Sequence, residues 1–281
     1  MNLADYATTH GLTQVGVRPK FGEYLKQVWQ RRDFAFIMSL YASESANARS
    51  RLGGWWLVLV PSLQAFTYGL IFGLILGSLR PANFIPFLIT GVFLFSFFSG
   101  SFSAGAKAIT SNSGLLKTLS FPRILLPLSA VIREFINFIP QLAILAIVML
   151  VFGQEISWDW LYMVPITFLM FLFSTGLAMI SARLTVRIQD LNKLVPFITR
   201  LMFYSSGIFF EVERIFADYP ELLAIATLNP VNAFISLARG ALVNDLQMSP
   251  VLWVVATAWS VGTFLFGVFY FWRAEARYGR D

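Results

Sequence analysis

The sequence predicts an all-α polytopic membrane protein with six transmembrane helices, an N-terminal amphipathic interfacial helix and re-entrant outer helices between spans five and six. Two observations carry this prediction. Of the 281 residues, 57% are hydrophobic and 13% are charged, a balance far too apolar for a soluble domain of ordinary composition. In addition, apolar runs of about 20 residues, long enough to cross a bilayer as a helix, recur along the chain.

Four of the six predicted spans contain no charged residue, and they cover residues 55–79, 84–106, 160–182 and 251–272. The third span, 125–152, contains Arg133 and Glu134, and the fifth, 194–210, is shorter. Adjacent residues of a helix point about 100° apart, so Arg133 and Glu134 are not expected to pair with each other. Snorkelling or pairing with neighbouring helices is favoured over contact with a substrate.

The basic residues predict the orientation of these spans. Seventeen of the 21 Lys and Arg residues fall in four segments, residues 1–54, 104–123, 183–200 and 273–281. The opposite side receives Arg80, Arg214 and Arg239. Because positive charge is enriched on cytoplasmic loops, both termini are expected in the cytoplasm. The chain then divides into a cytoplasmic N-terminal region (1–54), a six-span domain (55–272) and a cytoplasmic tail (273–281).

An amphipathic helix is predicted before the first span. Apolar residues recur there at helical spacing, at Phe21, Tyr24, Leu25, Val28 and Trp29. This pattern is typical of a helix lying at the membrane interface. A helix that merely covers the protein's own core would show the same pattern.

The segment between spans five and six is half apolar but interrupted. Pro220 and the pair Asn229-Pro230 break residues 211–245 into pieces too short to cross a bilayer. We therefore predict two short helices that dip into the outer leaflet, where their backbone must be buried in protein or line a cavity.

Reactive side chains are scarce. The chain contains no cysteine and one histidine, His10, in a polar tail. It has no H-E-x-x-H pair, no G-x-S-x-G turn and no G-x-x-x-x-G-K-[ST] phosphate loop. These observations favour a protein that is not an enzyme and holds no cofactor or metal. They assign any ATP hydrolysis to another subunit, and the basic charge is attributed to cytoplasmic loops rather than to nucleic acid binding.

Two spans carry patterned residues. Gly69, Gly73 and Gly77 recur at every fourth position of the first span, which predicts close helix packing. In the second span a face of about 80° holds five phenylalanines: Phe84, Phe87, Phe95, Phe98 and Phe102. A packing or lipid-facing role is favoured somewhat over an aromatic lining for a passing substrate.

The loop between spans two and three has the composition of a partner-binding element. Its sequence, GLLKTLSFPRILLPL, begins two residues after Asn112, and the apolar pair Leu115 and Leu116 is followed by cations at Lys117 and Arg123. A short helix of this kind suits a groove with an acidic rim on a partner protein.

Four segments between residues 49 and 242 resemble, in order, the permease subunits of type-2 ABC exporters of lipid-linked polysaccharides such as O-antigen, teichoic acid and cell-wall galactan. They are RSRLGGWWLVLVPSLQ, NSGLLKTLSFPRILLPL, VRIQDLNKLVPFITRLMFYSSGIFF and LNPVNAFISLARGAL. One departure lies in the third, where many relatives carry Arg-Asp and this chain has Gln189-Asp190, with Arg187 nearby.

The resemblance implies a homodimer in the bacterial cytoplasmic membrane, surrounded by lipid and joined to two ATPase subunits that bind ATP and Mg. It also implies that the interfacial helix and the loop from Asn112 to Arg123 are coupling elements, and that the re-entrant helices close the exit. The alternatives are an exporter permease for a drug or lipid, and a membrane enzyme acting on lipid-linked sugars. Since sugar C–H faces stack on aromatic rings, the predicted glycan conduit is Tyr68, Phe84, Phe87, Phe95 and Tyr204.

Overall fold

A computed structural model of the chain describes residues 19–47, 50–75, 77, 81, 83–244 and 246–275. The expectations for His10 and Arg80, and for the tail beyond residue 275, lie outside these residues. Throughout the described part the regular structure is helical, with twelve α-helices. They are α1 (Phe21–Gln30), α2 (Arg32–Asn47), α3 (Trp56–Ile75), α4 (Phe84–Lys107), α5 (Ser113–Thr118), α6 (Leu125–Val151), α7 (Met163–Arg187), α8 (Leu191–Ser205), α9 (Val212–Ile215), α10 (Pro220–Leu228), α11 (Pro230–Leu242) and α12 (Pro250–Trp272).

Five helical segments within the described residues are long and apolar enough to cross a membrane. They contain α3, α4, α6, α7 and α12, and they correspond to predicted spans one, two, three, four and six. Helices α10 and α11 meet at 86° and make a sixth crossing only if the bent pair is counted as one span. This bend at Asn229-Pro230 is the break that the sequence predicts between two short helices.

The fifth predicted span is shorter than expected. Helix α8 has 15 residues and ends at Ser205, five residues before the predicted end, so it extends only about 22 Å. Gly207 follows with a φ of 64°, a conformation that glycine adopts without steric cost but that ends a right-handed helix.

Helix α4 lies at the centre of the bundle, packed against α6 and α7. Its phenylalanines build much of the core. The ring of Phe97 stacks on Phe138 of α6 with centroids 5.2 Å apart, and Phe98 stacks on Phe173 of α7 at 6.0 Å. The high aromatic content of this span therefore serves packing at these positions.

Glycines set the closest helix contacts. A Cβ atom on Gly176 of α7 would lie 2.4 Å from the Thr263 carbonyl of α12, so the two helices pack backbone against backbone. In the predicted glycine run, Gly69 and Gly73 face α4, where a Cβ would lie 3.4 Å from Leu88 and 3.6 Å from Phe84, respectively. Gly77 lies beyond α3 and a Cβ there would meet nothing within 4 Å.

Helix α1 forms where the amphipathic pattern predicts it. Tyr24 is completely buried in a small core with Ile109 and Phe271, whereas Leu25 and Trp29 are exposed. One position of the apolar face thus covers the protein's own core. The location of the exposed positions at a membrane interface stays a prediction.

The predicted cytoplasmic segments meet at one end of the bundle. Tyr24, from the N-terminal region, and Arg123, from the loop before α6, both contact Glu275 after α12. At the other end, the buried side chain of Gln154 accepts a hydrogen bond of 2.7 Å from the backbone of Asn244, which follows α11. The two groups of segments that the charge distribution separates therefore lie at opposite ends.

Candidate functional site

A cavity of about 510 Å³ lies between α3, α4, α6 and α8. Its lining is mixed. The polar lining residues are Gln64, Ser96, Ser99, Glu134, Asn137, Gln141, Thr199 and Arg200, and the aromatic ones are Tyr68, Phe95, Phe97, Phe203 and Tyr204. Polar side chains within a membrane-spanning bundle are costly unless they face a cavity or one another, so this concentration marks a functional site.

Gln141 joins three of the helices around the cavity. Its side-chain oxygen accepts a hydrogen bond of 2.7 Å from Ser96 of α4, and its amide nitrogen donates one of 3.0 Å to the Leu57 carbonyl of α3. That carbonyl lacks its usual partner in the helix because the residue four positions later is Pro61, which has no N–H. The Gln141 amide replaces the missing donor and fixes the wall of the cavity.

Arg133 and Glu134 form an ion pair, so the prediction that they would not pair is wrong. The Arg133 Nη2 atom lies 2.6 Å from Glu134 Oε1, and Nε also donates to the same oxygen at 3.1 Å. The Cβ atoms of adjacent helical residues diverge, but both side chains are long enough to bend back toward each other. Glu134 also lines the cavity and packs over Gly100, where a Cβ would lie 2.7 Å from Oε2.

Three of the five predicted conduit residues line this cavity: Tyr68, Phe95 and Tyr204. Phe203, which the sequence analysis missed, connects two of them, with its ring 4.9 Å from Phe95 and 5.1 Å from Tyr68. Phe203 directly precedes Tyr204, a predicted conduit residue, and this adjacency is the feature of the sequence that could have indicated it.

The other two predicted conduit residues, Phe84 and Phe87, lie outside this cavity and are 5% and 2% exposed. The ring of Phe87 makes a cation–π contact with Arg239 of α11, whose guanidinium carbon lies 3.3 Å from the ring centroid. Arg239 donates to the carbonyls of Phe87, Gly207 and Ile208 at 2.8 to 3.0 Å. The charge distribution predicts that Arg239 lies on the outer side, whereas its side chain is buried and joins α11 to α4 and to the turn after α8.

The predicted coupling residues occupy α5 and its surroundings. Leu115 and Leu116 are half-buried and Lys117 is exposed. Leu116 packs against the small core around Tyr24. The Asn112 side-chain amide donates to the Ala108 carbonyl at 2.8 Å, which extends the end of α4.

Arg123, the last predicted coupling residue, faces inward. Its backbone N–H donates to Glu275 Oε1 at 2.8 Å, and its guanidinium donates to the Glu275 carbonyl. Burial raises the pKa of the Glu275 carboxyl, while the hydrogen bonds from Arg123 and from the Tyr24 hydroxyl act in the opposite direction. Among the described residues, no three His, Cys, Asp or Glu side chains come together as metal ligands.

A bundle of five to six candidate spans, three of which border a cavity with a mixed polar and aromatic lining, is typical of a multi-pass membrane protein of the transporter class. Residues 38–243 match the family described as ABC-2 type transporter. The chain belongs to this family.

Curated relatives are named as polysaccharide export proteins. The chain is 30% identical over 197 residues to the O-antigen export system permease protein RfbA of Klebsiella pneumoniae, covering 69% of this chain and 74% of the relative. It is 26% identical over 207 residues to the RfbA protein of Myxococcus xanthus, covering 74% and 79%. The polysialic acid transport protein KpsM of Escherichia coli is 25% identical over 194 residues, covering 68% and 74%.

Proposed function

We propose that this chain is the transmembrane permease subunit of an ATP-driven exporter that moves a lipid-linked polysaccharide across the bacterial cytoplasmic membrane. The family match over residues 38–243 and the export names of relatives from several organisms support this function. A separate ATPase subunit, which binds ATP and Mg, supplies the energy. The chain itself acts as a conduit and a receiver of motion rather than as an enzyme.

The mixed lining of the cavity is the observation that carries the proposal. A glycan presents hydroxyl groups that exchange hydrogen bonds with amides and alcohols such as Gln64, Ser99 and Asn137. It also presents C–H faces that stack on the rings of Tyr68 and Phe203. Weak contacts of both kinds hold a moving chain without stopping it. A drug or lipid, the alternative cargo, has no comparable need for this row of polar groups.

A second copy of the chain completes the conduit in this proposal. Helices α3 and α8 border the cavity, and both present large apolar side chains that are exposed in the single chain, among them Leu63, Phe66, Phe197 and Leu201. Pairing of these faces in a homodimer would enclose the cavity between two subunits. Membrane lipid then covers the remaining apolar surface.

The cavity gives little support to an enzyme acting on lipid-linked sugars. Glycosyl chemistry commonly needs two carboxyl groups that flank the reacting bond. Of the described residues, Glu134 alone brings a carboxylate to the cavity lining, and it is paired with Arg133.

ATP turnover by the purified complex tests the proposal. With the ATPase subunit in proteoliposomes, we expect a defined lipid-linked glycan to stimulate ATP hydrolysis more than a phospholipid or a cationic drug does. Gln64→Trp, which fills the cavity from an exposed position, should abolish the stimulation, and Phe168→Trp on the outer surface of α7 should not. Stimulation by the drug or phospholipid alone would contradict the proposed substrate class.

A further inference from the structure

A buried carboxylate joins three segments of the chain that are distant in sequence. Glu275, three residues after the end of α12, is 8% exposed. Its Oε2 accepts a hydrogen bond of 2.7 Å from the hydroxyl of Tyr24 in α1, and its Oε1 accepts one of 2.8 Å from the backbone N–H of Arg123. Both oxygens are therefore used, each by a different segment.

The contact between Glu275 and Arg123 is reciprocal. While the Arg123 backbone donates to the carboxylate, its guanidinium donates to the Glu275 backbone carbonyl. Hydrogen bonds to a charged group are stronger than neutral ones, and a buried carboxylate that loses its partners incurs a full desolvation penalty. Separation of these segments is accordingly opposed more strongly than separation of an ordinary surface contact.

Neighbouring contacts align the same segments. The Trp272 indole at the end of α12 donates to the Pro19 carbonyl at 3.0 Å, and its ring packs 5.2 Å from Phe21 of α1. The Arg31 guanidinium, just after α1, donates to the Ser120 carbonyl in the loop between α5 and α6. Helix α1 is thus attached both to the last span and to the loop that follows α5.

We propose that Glu275 is a positioning residue that makes α1, the loop between α5 and α6, and the end of α12 move as one unit. This inference rests on the proposed function, in which a separate ATPase drives the chain, and on the coupling role that the family resemblance implies for the loop from Asn112 to Arg123. Helix α5 has only six residues and its leucines are half-buried, so its own packing transmits little force. When the loop between α5 and α6 is displaced, the contacts of Arg123 with Glu275 and of Glu275 with Tyr24 move α12 and α1 together with it.

A distance measurement tests the tether itself, whatever the protein transports. The chain has no cysteine, so spin labels can be placed at Lys117 in α5 and Arg273 after α12, both exposed. In the purified chain we expect a narrow distribution of distances between the labels. The distribution should broaden with Glu275→Gln, which removes the charge, and with Tyr24→Phe, which removes one hydrogen bond. An unchanged width in both variants would overturn the inference.

A second measurement separates positioning from simple stabilisation. Glycan exported per ATP hydrolysed, measured on equal amounts of folded complex, should fall about fivefold with Glu275→Gln, the lower end of common coupling effects. Tyr24→Phe should give an intermediate loss, and Glu44→Gln, at an exposed carboxylate of α2, none. If Glu275→Gln and Tyr24→Phe both exported as much glycan per ATP hydrolysed as the wild type, the positioning role would be refuted. Failure of the wild-type complex to export glycan would instead contradict the proposed function and leave the distance result intact.

Discussion

Arg239 illustrates how a single residue can hold a membrane protein together. A guanidinium has five N–H donors and stays charged, so its burial requires acceptors on several sides. Two of its acceptors, the Gly207 and Ile208 carbonyls, lie in the turn that follows α8. Arg239 therefore fixes the turn after α8 to α11, and the Phe87 ring packs against the charged guanidinium.

Replacement of Arg239 by leucine should destabilise the protein. Three buried carbonyls would each lose a donor, at a cost of about 1–3 kcal/mol for each group left unpaired. We expect a lower unfolding temperature in detergent and an intermediate value for Arg239→Lys, which keeps the charge but loses the planar fork. Arg214→Leu, at an exposed position of α9, serves as the control. Equal unfolding temperatures for Arg239→Leu and wild type would show that these three hydrogen bonds do not stabilise the fold.

At the scale of the elements, α5 presents two surfaces with different roles. Leu116 turns toward the small core around Tyr24, whereas Lys117 is exposed. Leu115 is half-buried and Arg123 is held by Glu275. The proposed contact of α5 with the ATPase therefore centres on Lys117 and the exposed part of Leu115.

Substitutions in α5 should uncouple transport from ATP hydrolysis. We expect Leu116→Asp to reduce co-purification with the ATPase and substrate-stimulated ATP turnover, because a charge would enter an apolar contact. Since Leu116 also packs internally, Lys117→Glu is the more specific variant, and it should weaken the same association by reversing a surface charge. Unchanged co-purification and turnover in both variants would refute the coupling role of α5.

The sequence predicts elements well where one local property decides them. Five spans are recognisable because each is an apolar run of about 20 residues, the length that a helix needs to cross a bilayer, and the bend before α11 follows from Asn229-Pro230. The early end of α8 depends on the positive φ of Gly207, which composition does not reveal. The site is less predictable, because the contacts of Gln141 with Ser96 and Leu57 join residues from three helices.

At the scale of the whole molecule, the two ends of the bundle differ in chemistry. One end gathers the N-terminal helix, the loop around Arg123 and the chain after α12. The other end holds Gln154, Asn244 and the bent pair α10 and α11. Basic residues are concentrated in the segments at the end that holds the N-terminal helix and Arg123. Because cytoplasmic loops are enriched in positive charge, this end is expected to face the cytoplasm and the bent pair to face outward.

Single cysteines test this orientation without a background signal, because the chain contains none. A membrane-impermeant thiol reagent applied to whole cells should label cysteines that replace Asp218 or Ser249, at the predicted outer end. A cysteine replacing Lys117 should react only after the membrane is opened. Labelling of the Asp218 and Ser249 positions from the cytoplasmic side alone would reverse the orientation.

Photocrosslinking during transport tests most directly whether a glycan passes through the cavity between α3, α4, α6 and α8, as we propose. A photoreactive amino acid is placed at Tyr68 or Tyr204 in the cavity, or at Phe266 on the exposed face of α12. With labelled lipid-linked glycan, the ATPase and ATP, we predict glycan capture at Tyr68 and Tyr204 that depends on ATP, and none at Phe266. Capture at Phe266 with no capture at either cavity position, while export proceeds, would contradict the account.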